Sequence, residues 1–199
     1  RCTRSNIKRA RDMPGRLAQK TIGIFIDFQF EDLEVMYPKI RLEEEGANVI
    51  VIGAHPAGMK YAGKHGYPCK SSKQVDEMAA DGADLDGLVL PGGFAPDYMR
   101  RSPRMLSIIS GMVAAQKPVA AICHGPWMFC SARDAAGAPV AKGVRMTSFV
   151  AVKDDLLNAG AEWVDEPVVN CRNMITSRTP DDLTPFCLAI IDAVAAAGS

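Results

Sequence analysis

The chain has 199 residues, 48% of them apolar and 23% charged, and its Lys plus Arg and Asp plus Glu totals are both 23. That composition suits one globular domain with a full core and argues against two or more independent ones. Balanced charge leaves no overall field to draw nucleic acid or an anionic membrane, and no apolar run approaches the ~18 residues of a membrane span.

Residues 1–20 break the balance, with seven basic side chains (Arg1, Arg4, Lys8, Arg9, Arg11, Arg16, Lys20) against Asp12. They read as a solvated basic extension ahead of a single domain over 21–199, with a transit-peptide remnant or a nucleic-acid arm as alternatives. The expected compartment is the cytoplasm, or an organelle if the leader is such a remnant.

"TIGIFIDF" (21–28) predicts a buried strand, followed by a helix through "EDLEVMYPKIRLEEEG", in which Leu33, Met36, Tyr37 and Ile40 fall at helical spacing as the expected apolar face. Pro38 predicts a bend there. Strands are expected at 48–54 and 85–93, with a hairpin or excursion around "AGKHGYPCK" between them. Ser102-Pro103 starts a helix whose apolar face is Leu106, Ile109 and Val113. "PVAAI" is the next strand, and it runs into Cys123, His124 and a Gly-Pro turn. Strands follow in "VRMTSF", "EPVVN" and "NMITS", a short helix in "KDDLLNAG", and a last helix from Thr179-Pro180. Alternating strands and helices predict an α/β sandwich with a mostly parallel sheet, whose sites lie at the carboxyl ends of the strands.

Three segments fall at that edge: "DFQFED", "LPGG" and "ICHGP". A strand, a cysteine on a sharp turn and a helix start have the mechanics of a nucleophile elbow. The helix N-terminus would favour thiolate, although a cysteine ending a buried strand is also an ordinary small hydrophobe. The chain has three histidines, His55, His65 and His124, and none follows position 124. Catalytic orders that place the histidine far downstream of the nucleophile, as in α/β hydrolases, papain-like proteases and glutamine amidotransferases, are thereby excluded. The caspase signature is also missing, so the partner of a nucleophilic Cys123 is His124.

Glu31 is the candidate acid, or else a first-turn residue favouring the helix dipole, which is the only reading for Asp32 and Glu34. The glycines of "LPGG", Gly92 and Gly93, make a turn, and beside a nucleophile the Gly93 and His124 N–H groups would form an oxyanion hole. Six cysteines without a C-x-x-C pair argue for reduced thiols and against zinc: Cys130, Cys171 and Cys187 are expected in or near the core, Cys2 and Cys69 at the surface. No dinucleotide, P-loop, zincin or EF-hand motif is present, so no cofactor or metal is expected.

"FEDLEVMYP", "GKHGY", "LPGGFAPD", "KPVAAICHGP", "VKDDLLNAGAEWVDEPVV" and "ITSRTPDDL" together resemble the PfpI family of intracellular proteases and protein deglycases. That family belongs to the class I glutamine amidotransferase-like superfamily, as does the parkinsonism-associated deglycase. The resemblance runs from about Thr21 almost to the C-terminus. It implies a flavodoxin-like three-layer sandwich, a Cys123 thiolate paired with His124, Glu31 as a buried acid hydrogen-bonded to the thiol, and an oxyanion hole from Gly92, Gly93 and His124. It also implies a homo-oligomer, a dimer or trimer of dimers, in which Asp97 reaches His124 of a neighbouring subunit. Relatives carry glutamate at that position, so the aspartate is one methylene short. Two further departures are a longer stretch at "SARDAAGAPVAKGVRMTSF" and Val150 in place of a proline.

The implied activity is cofactor-independent conversion of α-oxoaldehydes such as methylglyoxal, or of their early adducts, through a Cys123 hemithioacetal. Peptide hydrolysis by the same residues, with a peptide as substrate, and a redox-sensing holdase function through Cys123 oxidation are the rivals. An isonitrile hydratase would carry threonine at position 124.

Overall fold

The computed structural model describes residues 15–197. Most of the basic leader, Cys2 included, lies outside the described residues. Its last six residues pack on the domain: Leu17 is fully buried, and its N–H donates to the Glu45 carbonyl at 2.8 Å.

Seven strands form the central sheet. The first is β1 (Thr21–Ile26), flanked by β2 (Asn48–Gly53) and β6 (Gly87–Leu90), with β7 (Val119–Ile122) and β11 (Met174–Ser177) beyond β6. All five run parallel, in the spatial order β2, β1, β6, β7, β11. That is the doubly wound order of a flavodoxin-like sheet. The edges are β5 (Lys73–Gln74), parallel to β2, and β10 (Val168–Cys171), antiparallel to β11. Every residue of β6 and β7 is buried, which explains why those strands read as unbroken apolar runs rather than alternating ones.

The "AGKHGYPCK" stretch forms the predicted hairpin, β3 (Lys60–Ala62) with β4 (Pro68–Lys70). Cys69, the central residue of β4, is buried rather than exposed, and Cys187 lies in the core as expected. "VRMTSF" shrinks to β8 (Arg145–Met146), paired with β9 (Glu162–Trp163) outside the main sheet.

Helix α1 (Asp32–Glu44) runs on through Pro38, but it presents the opposite face to the one expected. Val35, Pro38 and Leu42 are buried, whereas Leu33 and Ile40 are 57% and 52% exposed. The helix carries two apolar stripes, and its acids decide between them, because Asp32 and Glu34 are drawn inward by backbone donors described below. Short α2 (Ala95–Met99) follows the "PGG" turn and was not foreseen. In α3 (Pro103–Ala114) the Ser102 hydroxyl caps Met105 N–H at 3.3 Å, and Met105, Ile108, Ile109 and Met112 face the core, about one position round from the expected stripe. Helices α4 (Trp127–Ser131), α5 (Lys153–Asn158) and α6 (Leu183–Ala196) complete the sandwich, with α6 packed on α1 and β11. Among the described residues no helix is long and apolar enough to cross a membrane.

Candidate active site

Cys123 follows β7 directly and has φ +62°, a left-handed conformation that a side-chain-bearing residue adopts only when its surroundings impose it. Strand β11 and the loop after β8 impose it here. Its N–H donates to the Ser177 carbonyl of β11 at 3.1 Å, and its carbonyl accepts from Phe149 N–H at 2.9 Å. Gly125 completes the elbow, since a Cβ there would collide with the Leu90 carbonyl oxygen of β6.

This turn lets neighbouring side chains meet: Cys123 Sγ lies 3.2 Å from His124 Nδ1. Phe149 stacks on the imidazole with ring centroids 5.0 Å apart, and Trp127 meets it edge-on at 5.2 Å. Burial, and then the nearby Lys64 ammonium, hold the His124 pKa below its ordinary value, so the ring is neutral at pH 7 and able to take a proton.

The carboxyl beside the sulfur is that of Glu34. It is 0% exposed, and its Oε2 accepts from Gly92 N–H at 2.7 Å. Its Oε1 is buried without a hydrogen-bond partner, and the carboxyl and the Cys123 thiol lie close enough to shift each other's ionisation. Burial raises the Glu34 pKa to about 8, against the Gly92 hydrogen bond. Burial also raises the Cys123 thiol to about 12, with the charge of Glu34 adding to it and the Gly93 and His124 N–H groups opposing. Both shifts favour the neutral forms, a thiol and a protonated carboxyl, over the thiolate that the resemblance implies. Helix α4 has five residues, and the donors that hold a sulfur anion are those two N–H groups rather than a long helix dipole.

Glu31, the acid expected from the sequence, stands elsewhere in the site. Its carboxylate meets Lys64 Nζ and His65 Nε2, each at 3.4 Å, on the wall of the cavity. It sits at the N-cap before the first helical turn, whereas Glu34 is one turn on and points under the "PGG" loop. Gly92 spends its N–H on Glu34, which removes it from the oxyanion hole. Gly93, at φ +72°, keeps its N–H directed at the sulfur. Asp97 is 66% exposed on α2, where it pairs with Arg101 at 3.7 Å.

Asp32 holds the hairpin loop: its two carboxylate oxygens accept from His65 N–H and Tyr67 N–H, both at 2.8 Å. Lys64 N–H donates to the Phe30 carbonyl, which places the Lys64 ammonium over the site. Glu31, Asp32 and His65 have donor atoms all within 4.8 Å of one another, a spacing that could admit a cation. Lys64 and the two loop N–H groups already compete for those carboxylates.

Above Cys123 is a cavity of about 310 Å³ whose walls include Glu31, Lys64, Phe94, Trp127, Phe149 and Thr179. Larger grooves of about 400 and 490 Å³ lie at Ser107–Arg133 and at Asp27–Arg101, and neither contains Cys123. Glu34, Lys64, Phe149 and Thr179 escaped the sequence reading. The available signal for Glu34 was its place beside the second stripe of α1, Val35, Pro38 and Leu42.

A family model described as the DJ-1/PfpI family matches residues 20–193. The chain is 42% identical to "Deglycase PfpI" of Pyrococcus furiosus over 155 residues, covering 78% of this chain and 87% of that one. It is 39% identical to "Putative cysteine protease YraA" of Bacillus subtilis over 167 residues, covering 84% and 94%. A crystal structure of a two-domain protein from Anabaena variabilis, with DJ-1/ThiJ/PfpI-like and ferritin-like domains, superposes with a TM-score of 0.81 at 35% identity, over 87% of this chain and 48% of that one.

Proposed function

We propose that this chain, which belongs to the DJ-1/PfpI family, is a cofactor-independent cysteine enzyme that converts α-oxoaldehydes such as methylglyoxal, or their early adducts with thiols and amines, into 2-hydroxy acids. One observation carries the reading. Cys123 has the His124 imidazole on one side and the buried Glu34 carboxyl on the other, beneath a cavity, and burial favours the neutral form of each. A pair of proton carriers flanking a nucleophile is what an internal hydrogen shift requires.

Cys123 Sγ bonds to the aldehyde carbon as its proton passes to His124 Nδ1, and the carbonyl π-bond breaks to an oxyanion facing the Gly93 and His124 N–H groups. The imidazolium protonates that oxygen to complete the hemithioacetal. His124 then removes the C1 proton while Glu34 protonates the C2 oxygen, giving an enediol. Return of a proton to C2 and loss of the C1 hydroxyl proton leave a thioester. Water cleaves the C–S bond, the 2-hydroxy acid departs, and the thiol is restored. The sum is addition of one water to the oxoaldehyde.

Lactate formation from methylglyoxal without glutathione tests this, run beside Cys123→Ala, Glu34→Gln and Glu31→Gln. One enantiomer is expected from the native protein, with no product from Cys123→Ala, a loss of ~100-fold or more in Glu34→Gln and a smaller one in Glu31→Gln. No lactate above the Cys123→Ala background overturns the reading.

Peptide hydrolysis is the second reading, favoured by the Bacillus relative's name and by the exposure of Asp97. In it Asp97 of a neighbouring subunit orients His124, and cleavage of a fluorogenic peptide is the readout. Both readings are of a homo-oligomer. The stripe Leu33, Tyr37 and Ile40, exposed on α1, supports the association. The free cysteines suit a reducing compartment such as the cytoplasm.

A further inference from the structure

The Cys123 cavity borders a second one, with which it shares two wall residues. Phe149 and Thr179 wall both, and beyond them lies a compartment of about 230 Å³ bounded by Val150, Trp163, Asp165 and Arg178. We propose that this second compartment receives the substituent of the substrate whose carbonyl sits at Cys123, so that the preferred substrates are α-oxoaldehydes, or their adducts, carrying an aryl or branched alkyl group in place of methyl. The inference rests on the reading above and names its substrate class.

Size is the first argument. At ~30 Å³ per water, the cavity over Cys123 alone has room for roughly ten waters. A three-carbon oxoaldehyde, with five heavy atoms, leaves about half of that space wet and never touches the second compartment. A substituent of six or more carbons spans both.

Wall chemistry is the second. Phe149 is committed by its stack on His124, so the path from the reacting carbon runs along an aromatic ring. The Trp163 ring is fixed by its Nε1–H, which donates to Ser148 Oγ at 3.0 Å, and by Lys153 Nζ, 4.8 Å from the ring centroid. Val150 is 65% exposed, an apolar side chain at the mouth with nothing covering it.

The charged residues there are already paired with each other. Arg178 donates Nε and Nη2 to Asp182 at 2.9 and 3.2 Å, and Nη1 to Asp165 at 2.7 Å. No free guanidinium remains to call for a carboxylate-bearing substituent. The compartment selects by apolar contact, which is worth about tenfold in kcat/KM for each ~1.4 kcal/mol realised in the transition state.

The test compares kcat/KM for phenylglyoxal and methylglyoxal in the native protein, Trp163→Ala and Val150→Asp. Each variant is expected to lower the phenylglyoxal to methylglyoxal ratio about tenfold, and Val150→Asp, a surface change, keeps the test open if Trp163→Ala folds poorly. An unchanged ratio in folded variants overturns the inference. Acetophenone titrated into Cys123→Ala protein, with the Trp163 indole N–H followed by NMR, separates the two failures. A shift there in a protein that turns over neither aldehyde upholds the compartment and sinks the chemistry, and its absence in a protein that makes lactate does the reverse.

Discussion

Glu34 and Cys123 face each other across Gly92: a Cβ on that glycine would lie 2.7 Å from Cys123 Cβ and 2.8 Å from Glu34 Oε2. The contact joins the first helix to the elbow after β7, two segments almost ninety residues apart. Gly92→Ala would push them apart and also crowd His124 N, 2.9 Å from the new atom. Overpacking of this kind costs about 1–3 kcal/mol, read as a fall in denaturation midpoint, and the loss of activity is expected to exceed what that destabilisation explains.

Activity should follow a bell-shaped pH dependence. His124 must be neutral to take the thiol proton, so kcat/KM rises with pH through a value below the ordinary imidazole one, since burial lowers its pKa. Ionisation of Glu34 near pH 8 places a negative charge against the developing sulfur anion and removes the carboxyl proton, so activity falls above it. Glu34→Gln should abolish that alkaline limb in whatever activity remains. Persistence of the limb would assign it to another group.

The same carboxyl links stability to pH. Its folded pKa, about 8, lies above the unfolded value near 4.5, so the folded state binds more protons across that interval. This contribution is present in full below about 4.5 and is lost as pH rises toward 8. Relative to Glu34→Gln, the native protein should therefore lose melting temperature between pH 5 and 8.5, and parallel curves for the two proteins would contradict the assignment.

Asp32 is expected to act through position rather than chemistry. Asp32→Ala removes the acceptor for two loop N–H groups and should cost about 1–3 kcal/mol. With the hairpin loop loosened, Lys64 and His65 leave Glu31. A rise in KM larger than the fall in kcat is the expected signature, and an equal fall in kcat and kcat/KM would point instead to a part in the reaction itself.

Leu33→Glu with Ile40→Glu should dissociate the proposed homo-oligomer. Both side chains are more than half exposed, so the monomer's circular dichroism and cooperative melting should survive. Sedimentation velocity at micromolar concentration reads the result. A native protein already monomeric there would leave the stripe without the role assigned to it.

Much of the fold was legible in local pattern: the alternation of strands and helices, the hairpin at "GKHGY", the Ser102 cap and the elbow at Cys123 each follow from runs of apolar residues and from Gly and Pro at turns. Cys123 and His124 could be named because few alternatives existed, with three histidines in the chain and none after position 124. Periodicity could not choose between the two stripes of α1. A helix with apolar residues on opposite sides is oriented by what it packs against, and here the Gly92 N–H and the hairpin loop N–H groups capture Glu34 and Asp32 and turn Leu33 and Ile40 outward. That rotation selects Glu34 over Glu31 as the partner of the sulfur. Hydrogen bonds between segments far apart in the chain leave no trace in local spacing, so the sequence by itself singled out the candidate nucleophile, and only tertiary structure decided which carboxyl stands beside it.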